Sequence, residues 1–333
     1  MGKAGRNLKN ALLSQQSRLK TKQKISHAAQ VAEQKSARNS KGHFPSKTAK
    51  GKEKATASSG PRPTVPFHPW DKIMLIGEGN FSFARSLVLD PPAVLQDLPP
   101  NNITATAYDS EEECYSKYPE SKEIVSFIRS KGVEVIFGVD GTRLEKHSKL
   151  KGRRWDRIVW NFPHAGKGIS DQDRNILSNQ LLILAFLRSA AHMLHRGPAP
   201  SAFVSKKKKI TDDEDEGVSG EAQNTNDDDS QLVSAVNTTK TRGTVLITLR
   251  NVIPYTEWDV PRLAKSPPSL KASGNPPNPQ YTLLRSFRFH RNIWKGYEHR
   301  MTKGERAHGT GTTGEGGEDR TWEFYLKDEF PAG

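Results

Sequence analysis

At 333 residues, a third of them apolar, the chain is long enough to bury a substantial core, as one large domain or two ordinary ones. Its formal net charge of +14 favours a polyanionic partner, either nucleic acid or an anionic surface. A lone cysteine, Cys114, rules out internal disulfides and Cys-based zinc sites, and the longest strongly apolar run, "LLILAFL" at 181–187, is far too short to span a bilayer.

The charge is concentrated at the start. Between Lys3 and Lys54 there are fourteen Lys and Arg against two acids, with few large apolar residues. Residues 1–66 therefore read as a disordered basic extension, a nuclear or nucleolar address and an RNA-binding arm, with a transient helix near "NALLSQQSRLK". A merely solubilising tail is the alternative. The folded part, 67–333, then alternates strand and helix. "DKIMLIG" predicts a strand and "NFSFARSLVLD" a helix; "NNITATAYDS" predicts a second strand, and "EEECYSKYPESKEIVSFIRSKG" one helix stopped at Gly132. "VEVIFGVD" and "WDRIVWNFP" predict two more strands, followed by a long amphipathic helix with Ser170 as its N-cap.

Residues 198–242, four lysines followed by a run of acids, carry no periodicity and read as a disordered insertion before the strand "GTVLITL". A further helix is expected at "EWDVPRLAK", and "YTLLRSFRF" and "TWEFYLK" are expected to pair antiparallel at a sheet edge. Repeated strand-helix units of this length predict an α/β fold with a doubly wound, Rossmann-like parallel sheet.

Ligands of such sheets bind at the carboxyl ends of the strands. There the sequence places Gly77, Glu78, Gly79, Asn80, Phe81 and Ser82, a turn that brings bare backbone to a helix N-terminus. A dinucleotide site asks for a third small residue where Phe81 and Ser82 stand, which favours a ligand without a pyrophosphate, such as S-adenosylmethionine, over a nicotinamide cofactor. Asp109 and Asp140 close the second and third strands and are candidates for the ribose hydroxyls and the adenine amino group; capping the next helix is the alternative for each. The fourth strand delivers Asn161, Phe162, Pro163 and His164, a polar group, a proline and aromatics suited to framing a planar base, with His164 as a candidate proton acceptor.

Taken together, "IGEGNFSFARSL", "ITATAYDSEEE", "GVDGTRL", "DRIVWNFPHAGKG", "PYTEW" and "GYEHRMTKGE" resemble the Rossmann-like family of eukaryotic large-subunit rRNA uridine-N3 methyltransferases over roughly 68–330. The resemblance implies an S-adenosylmethionine-dependent enzyme of the nucleolus, acting on 25S-type rRNA or a pre-ribosomal particle. It places Gly77 to Ser82 around the methionine part of the donor, Asp109 at the ribose, Asp140 near the adenine and Asn161 to His164 at the target base. Lys167, Arg300 and Lys303 are candidates for RNA phosphates, and Trp294 and Tyr297 for base stacking or, alternatively, for core packing. Two departures stand out: Leu75 occupies the place where many methyltransferases carry an acid, and Gly141 stands where alanine is expected. A fold that retains RNA affinity without turnover is the rival reading.

Overall fold

The structure, a computed structural model, describes residues 12–14, 16–17, 63–200, 241–269, 278–302 and 317–327. Seven strands form one sheet: β1 Ile73–Leu75, β2 Ile103–Thr106, β3 Glu134–Ile136, β4 Arg157–Asn161, β5 Thr244–Arg250, β6 Tyr281–Arg288 and β7 Asp319–Leu326. Their order is β3-β2-β1-β4-β5-β7-β6, with the first five parallel and β7 antiparallel to both β5 and β6. This is the expected doubly wound sheet with an antiparallel edge pair.

Alternation along the central strands divides the core into two layers, as the two-residue repeat of a strand requires. Ile73 and Leu75 of β1 join an apolar cluster with α1 (Ser82–Leu89) and α3 (Ser121–Ser130), while Met74 and Ile76 join the opposite cluster with α4 (Gln172–Ala191) and α5 (Val260–Lys265). All three residues of β1 are buried, as befits a strand covered by helices on both faces. The chain reverses its direction of growth between β1 and β4, which pair side by side with Leu75 opposite Val159. The turns that follow β1, β2 and β4 therefore leave the same edge of the sheet, next to the reversal.

Three local readings are corrected. The helix expected across 111–132 is broken into α2 (Glu111–Lys117) and α3, because Pro119 has no N–H to give and pushes Tyr118 out of the helical region. The N-cap of α4 is Asp171 rather than Ser170; its carboxylate accepts from the Arg174 N–H at 2.7 Å, a charge-assisted bond at the positive end of the helix dipole. "EWDVPRLAK" forms a 3-10 turn, Tyr255–Trp258, then α5, separated by Asp259 in the left-handed region at φ 47°.

Residues 12–14 and 16–17 are helical, and Leu12 lies 1% exposed in the cluster beneath α4, so this part of the basic extension is docked rather than free. The rest of that extension up to residue 62, and 201–240 of the insertion, lie outside the described residues. The two ends of the insertion meet, the Arg242 N–H donating to the Pro198 carbonyl at 2.9 Å, so β5 follows α4 in space without a gap to bridge.

Candidate active site

Gly77 leaves β1 with φ +64°, a conformation that glycine adopts without strain, and a side-chain carbon here would lie 3.0 Å from Nε1 of Trp160. The Glu78 N–H is pinned to the Thr106 carbonyl at 2.8 Å, and the Glu78 carboxylate turns back to accept from the Ala84 N–H at 3.2 Å, at the start of α1. Burial pushes the Glu78 carboxyl up to about 7, against the opposing pull of the helix N–H groups. Asn80 closes its own turn, accepting from the Ser82 N–H and donating to Glu120, and the buried Cys114 thiol reaches the Gly79 carbonyl at 3.4 Å. Phe81 does not face a ligand. It caps α1 in the left-handed region, is fully buried and meets Phe137 edge-on, so its place in the motif is structural.

At the end of β2, Asp109 is ion-paired to Lys117 at 2.6 Å. It is not the cap of α2, because Ser110 and Glu113 form that capping box between them. Tyr108, 72% exposed, stands at the mouth beside Asp109. Past β3, Asp140 uses Oδ1 to accept from both the N–H and the hydroxyl of Thr142, so part of its capacity is spent on holding its own turn. Gly141 has a steric reason: a Cβ would come within 3.0 Å of Ile76 Cγ2.

The end of β4 forms the opposite wall. Trp160 is held against Phe186 at 4.5 Å between ring centroids, and next to it the Asn161 Oδ1 is buried with no donor among the described residues. Phe162 sits at φ 53°, its ring 4.3 Å from the His299 ring and beneath the Arg291 guanidinium at 5.0 Å. Burial and the nearby Arg291 and Arg250 charges pull His299 down to about 3, so it is neutral at any physiological pH. Pro163 is buried behind the wall and lies outside the cavity lining. His164 opens to solvent, yet its apolar surroundings lower it below the usual histidine range. Its Nδ1 accepts from the Gly166 N–H at 2.9 Å, so the neutral ring carries its proton on Nε2. The expected proton acceptor is thus arranged as a hydrogen-bond donor toward the cavity.

A strap after β6, residues 297–302, roofs the site. Ser82 Oγ donates to the Glu298 carbonyl at 2.9 Å and accepts the Glu298 N–H at 3.0 Å; Tyr118 donates to the Met301 carbonyl at 2.7 Å. The result is a cavity of about 680 Å³ bordered by the Gly turn, Asp109, Asp140, Asn161, Phe162 and the strap. Four of the five residues expected at the RNA can be placed. Lys167 lies exposed at the mouth. Trp294 is corrected: only 2% exposed, it packs with Phe67, Phe83 and Phe289 and has no free face for a base. Tyr297, expected to stack on a base, is a cavity wall with its hydroxyl pushed far up by burial, and Arg300, with a side chain 8% exposed, is ion-paired to Glu120 and Glu298, so it is not open to phosphates as expected. Lys303 lies outside the described residues.

Sequence comparison decides the lineage: residues 74–301, from β1 to the strap, match the family described as rRNA (uridine-N3-)-methyltransferase, BMT5-like. The chain belongs to this family. It is 30% identical over 286 residues to the 25S rRNA (uridine(2634)-N(3))-methyltransferase of Saccharomyces cerevisiae, spanning 80% of this chain and 75% of that one. Shorter stretches resemble an uncharacterized protein of Arabidopsis thaliana, 37% identical over 37% of this chain and 57% of that protein, and the mouse ferredoxin-fold anticodon-binding domain-containing protein 1 homolog, 36% identical over 37% and 18%. The family member is thus a methyltransferase, and membership implies a methyl donor of the S-adenosylmethionine type. Of the lining residues to which the sequence reading gave no role, Tyr108 follows β2, Lys117 and Tyr118 end α2, Trp160 is on β4, and His299 arrives on the strap that folds back over the sheet edge.

Proposed function

We propose that this methyltransferase binds S-adenosylmethionine in the cavity at the carboxyl edge and methylates N3 of a uridine in large-subunit rRNA during ribosome assembly in the nucleolus. The observation that carries the base reading is the Asn161 Oδ1, a buried acceptor without a donor among the described residues, beside the Phe162 and His299 rings. Leaving such an atom unpaired costs about 1–3 kcal/mol, and the N3–H of a uracil supplies the missing donor. The lining also suits the methyl donor: the Glu78, Asp109 and Asp140 carboxylates offer acceptors and negative charge to a ligand with an amino group, ribose hydroxyls and a sulfonium. Gly77 leaves room beside Trp160 that any side chain would fill.

The sulfonium, when bound, supplies an electrophilic methyl group. The chain's own residues supply placement. Asn161 fixes the imide edge of the base, Phe162 and His299 hold its plane, and the Nε2 proton of His164 serves a base carbonyl that gains charge as the N3 proton passes to solvent water at the cavity mouth. Orienting the reactants in this way is a large source of acceleration in its own right. Because N3 is hidden in a duplex, the substrate uridine is unpaired or flipped out. The basic 1–66 extension adds charge for rRNA. An inactive assembly factor is the weaker reading, since it gives no reason for the unpaired acceptor.

The deciding experiment incubates the full chain with tritiated S-adenosylmethionine and RNA from cells lacking it, then identifies the labelled nucleoside by mass spectrometry. Label in 3-methyluridine of large-subunit rRNA is expected; no label in any RNA would sink the proposal. Two further results are expected by calorimetry. Asp109→Ala should weaken the methyl donor about tenfold, a value in the range of a lost hydrogen bond to a charged group, and unchanged affinity would remove Asp109 from the ribose. Glu78 gives a pH signature. Its carboxyl titrates at about 7 in the free protein, so its ionised fraction, and with it the preference for a positively charged ligand, grows as pH rises. The ratio of affinities for S-adenosylmethionine over neutral S-adenosylhomocysteine should rise about tenfold from pH 6 to 8 and become flat in Glu78→Gln. A flat wild-type ratio would exclude contact between Glu78 and the donor's charge.

A further inference from the structure

A second cavity, about 470 Å³, lies on the far side of the strap, and Tyr297, Glu298 and His299 line both. Its other walls carry Arg288, His290, Arg291 and Lys295. The acids within reach are already engaged: Asp319 accepts from Arg291 Nε at 2.6 Å, and Glu298 is ion-paired to Arg300. Among the described residues Lys295 meets one exposed acid, Asp90, in a pair that contributes little to stability. Arg288 is exposed and has no acid or hydrogen-bond partner among the described residues.

Two independent features mark this groove as built for an anion. Arg288 stands directly opposite Arg320 in the β6–β7 ladder, and because Arg320 is already paired with Glu318 at 2.7 Å, Arg288 is the cation of the two left without an acid among the described residues. Trp294, a lining residue only 2% exposed, has a buried indole N–H without an acceptor among the described residues. A phosphate oxygen satisfies both the Arg288 charge and such a donor.

We propose that this groove holds the phosphodiester next to the target nucleotide, so that the RNA strand crosses the strap with its reactive base in one cavity and its neighbouring phosphate in the other. The inference rests on the reading of the first cavity as the uridine site. The groove also takes the place of Arg300 as a source of phosphate contacts: its contribution is to the backbone, through Arg288, Lys295 and the Trp294 indole N–H, and carries no base information.

The test is fluorescence anisotropy of a labelled single-stranded oligouridylate across a series of KCl concentrations, with the full chain and the variants Arg288→Gln, Lys295→Gln and both together. Each substitution should make the slope of log affinity against log salt shallower by about 0.7, with the double variant about tenfold weaker at fixed salt. In methyl transfer the loss should fall on KM for RNA, with kcat and donor affinity kept. Lys149→Gln, before β4 at the opposite edge of the sheet, serves as control. Unchanged slopes in the groove variants, or an equal change in the control, would overturn the proposal. Inorganic phosphate alone competing as well as the oligonucleotide would show an isolated anion site and overturn the strand reading. Anisotropy needs no turnover, so a protein that transfers no methyl group yet loses slope in these variants would refute the uridine reading while leaving the groove a polyanion site.

Discussion

Asn161→Ala is expected to lower methyl transfer to RNA by about a thousandfold while S-adenosylmethionine affinity, read by calorimetry, stays within about threefold of wild type. The size follows from comparable losses, since removing one group that orients or stabilises the reacting centre costs about 3–4 kcal/mol. The split between rate and donor affinity follows from geometry. Oδ1 has no partner among the described residues, so truncation breaks no bond to it there and leaves the β4 ladder intact, where Asn161 is paired with Thr248 through backbone alone. A merely structural asparagine would show the reverse, with a lower melting temperature and a rate that recovers when the protein is kept cold. Transfer within about threefold of wild type would remove Asn161 from the base.

Gly77→Ala is expected to abolish measurable donor binding, a loss of about a hundredfold or more, with the fold retained. Two costs combine. An alanine at φ +64° gives up about 1–2 kcal/mol, and its Cβ would crowd the Trp160 indole at 3.0 Å. Trp160 cannot yield freely, being only 8% exposed and held edge-on against Phe186. The strain is therefore relieved by moving the turn, and with it the Glu78 carboxylate and the start of α1. Wild-type affinity in this variant would mean that the donor does not touch the turn.

Much of this site was legible from local signals. Strand ends, the Gly turn and the two acids could be placed because a parallel sheet collects its carboxyl ends on one edge, and Asp109 and Asn161 follow from that alone. What escaped depended on contacts distant in sequence. His299 and Glu298 sit in a segment without periodicity, and only the Ser82 bonds, 216 positions away, bring them over the turn. Trp294 lies in the same kind of segment, where no two- or three-residue repeat tells which way an aromatic faces; it went into the core, while Tyr108, read as an ordinary strand residue, stayed out in solvent. The break at Pro119 is written in the sequence, although apolar spacing continues on both sides of it. The role of His164 could not be read at all from its neighbours' identities, since it depends on which ring nitrogen the Gly166 N–H happens to occupy.

The strap also sets a schedule. The Gly turn is translated early, yet its roof comes from residues 297–302, after the acidic insertion and β6. As the chain emerges from the ribosome, the five parallel strands can pair long before the pocket closes, and the two halves of the site must wait for about two hundred residues of intervening polypeptide. A nascent or prematurely terminated chain carrying the whole Gly turn and Asn161 would present an open shelf in place of a cavity, so the capacity to methylate arrives in a single step, late in synthesis.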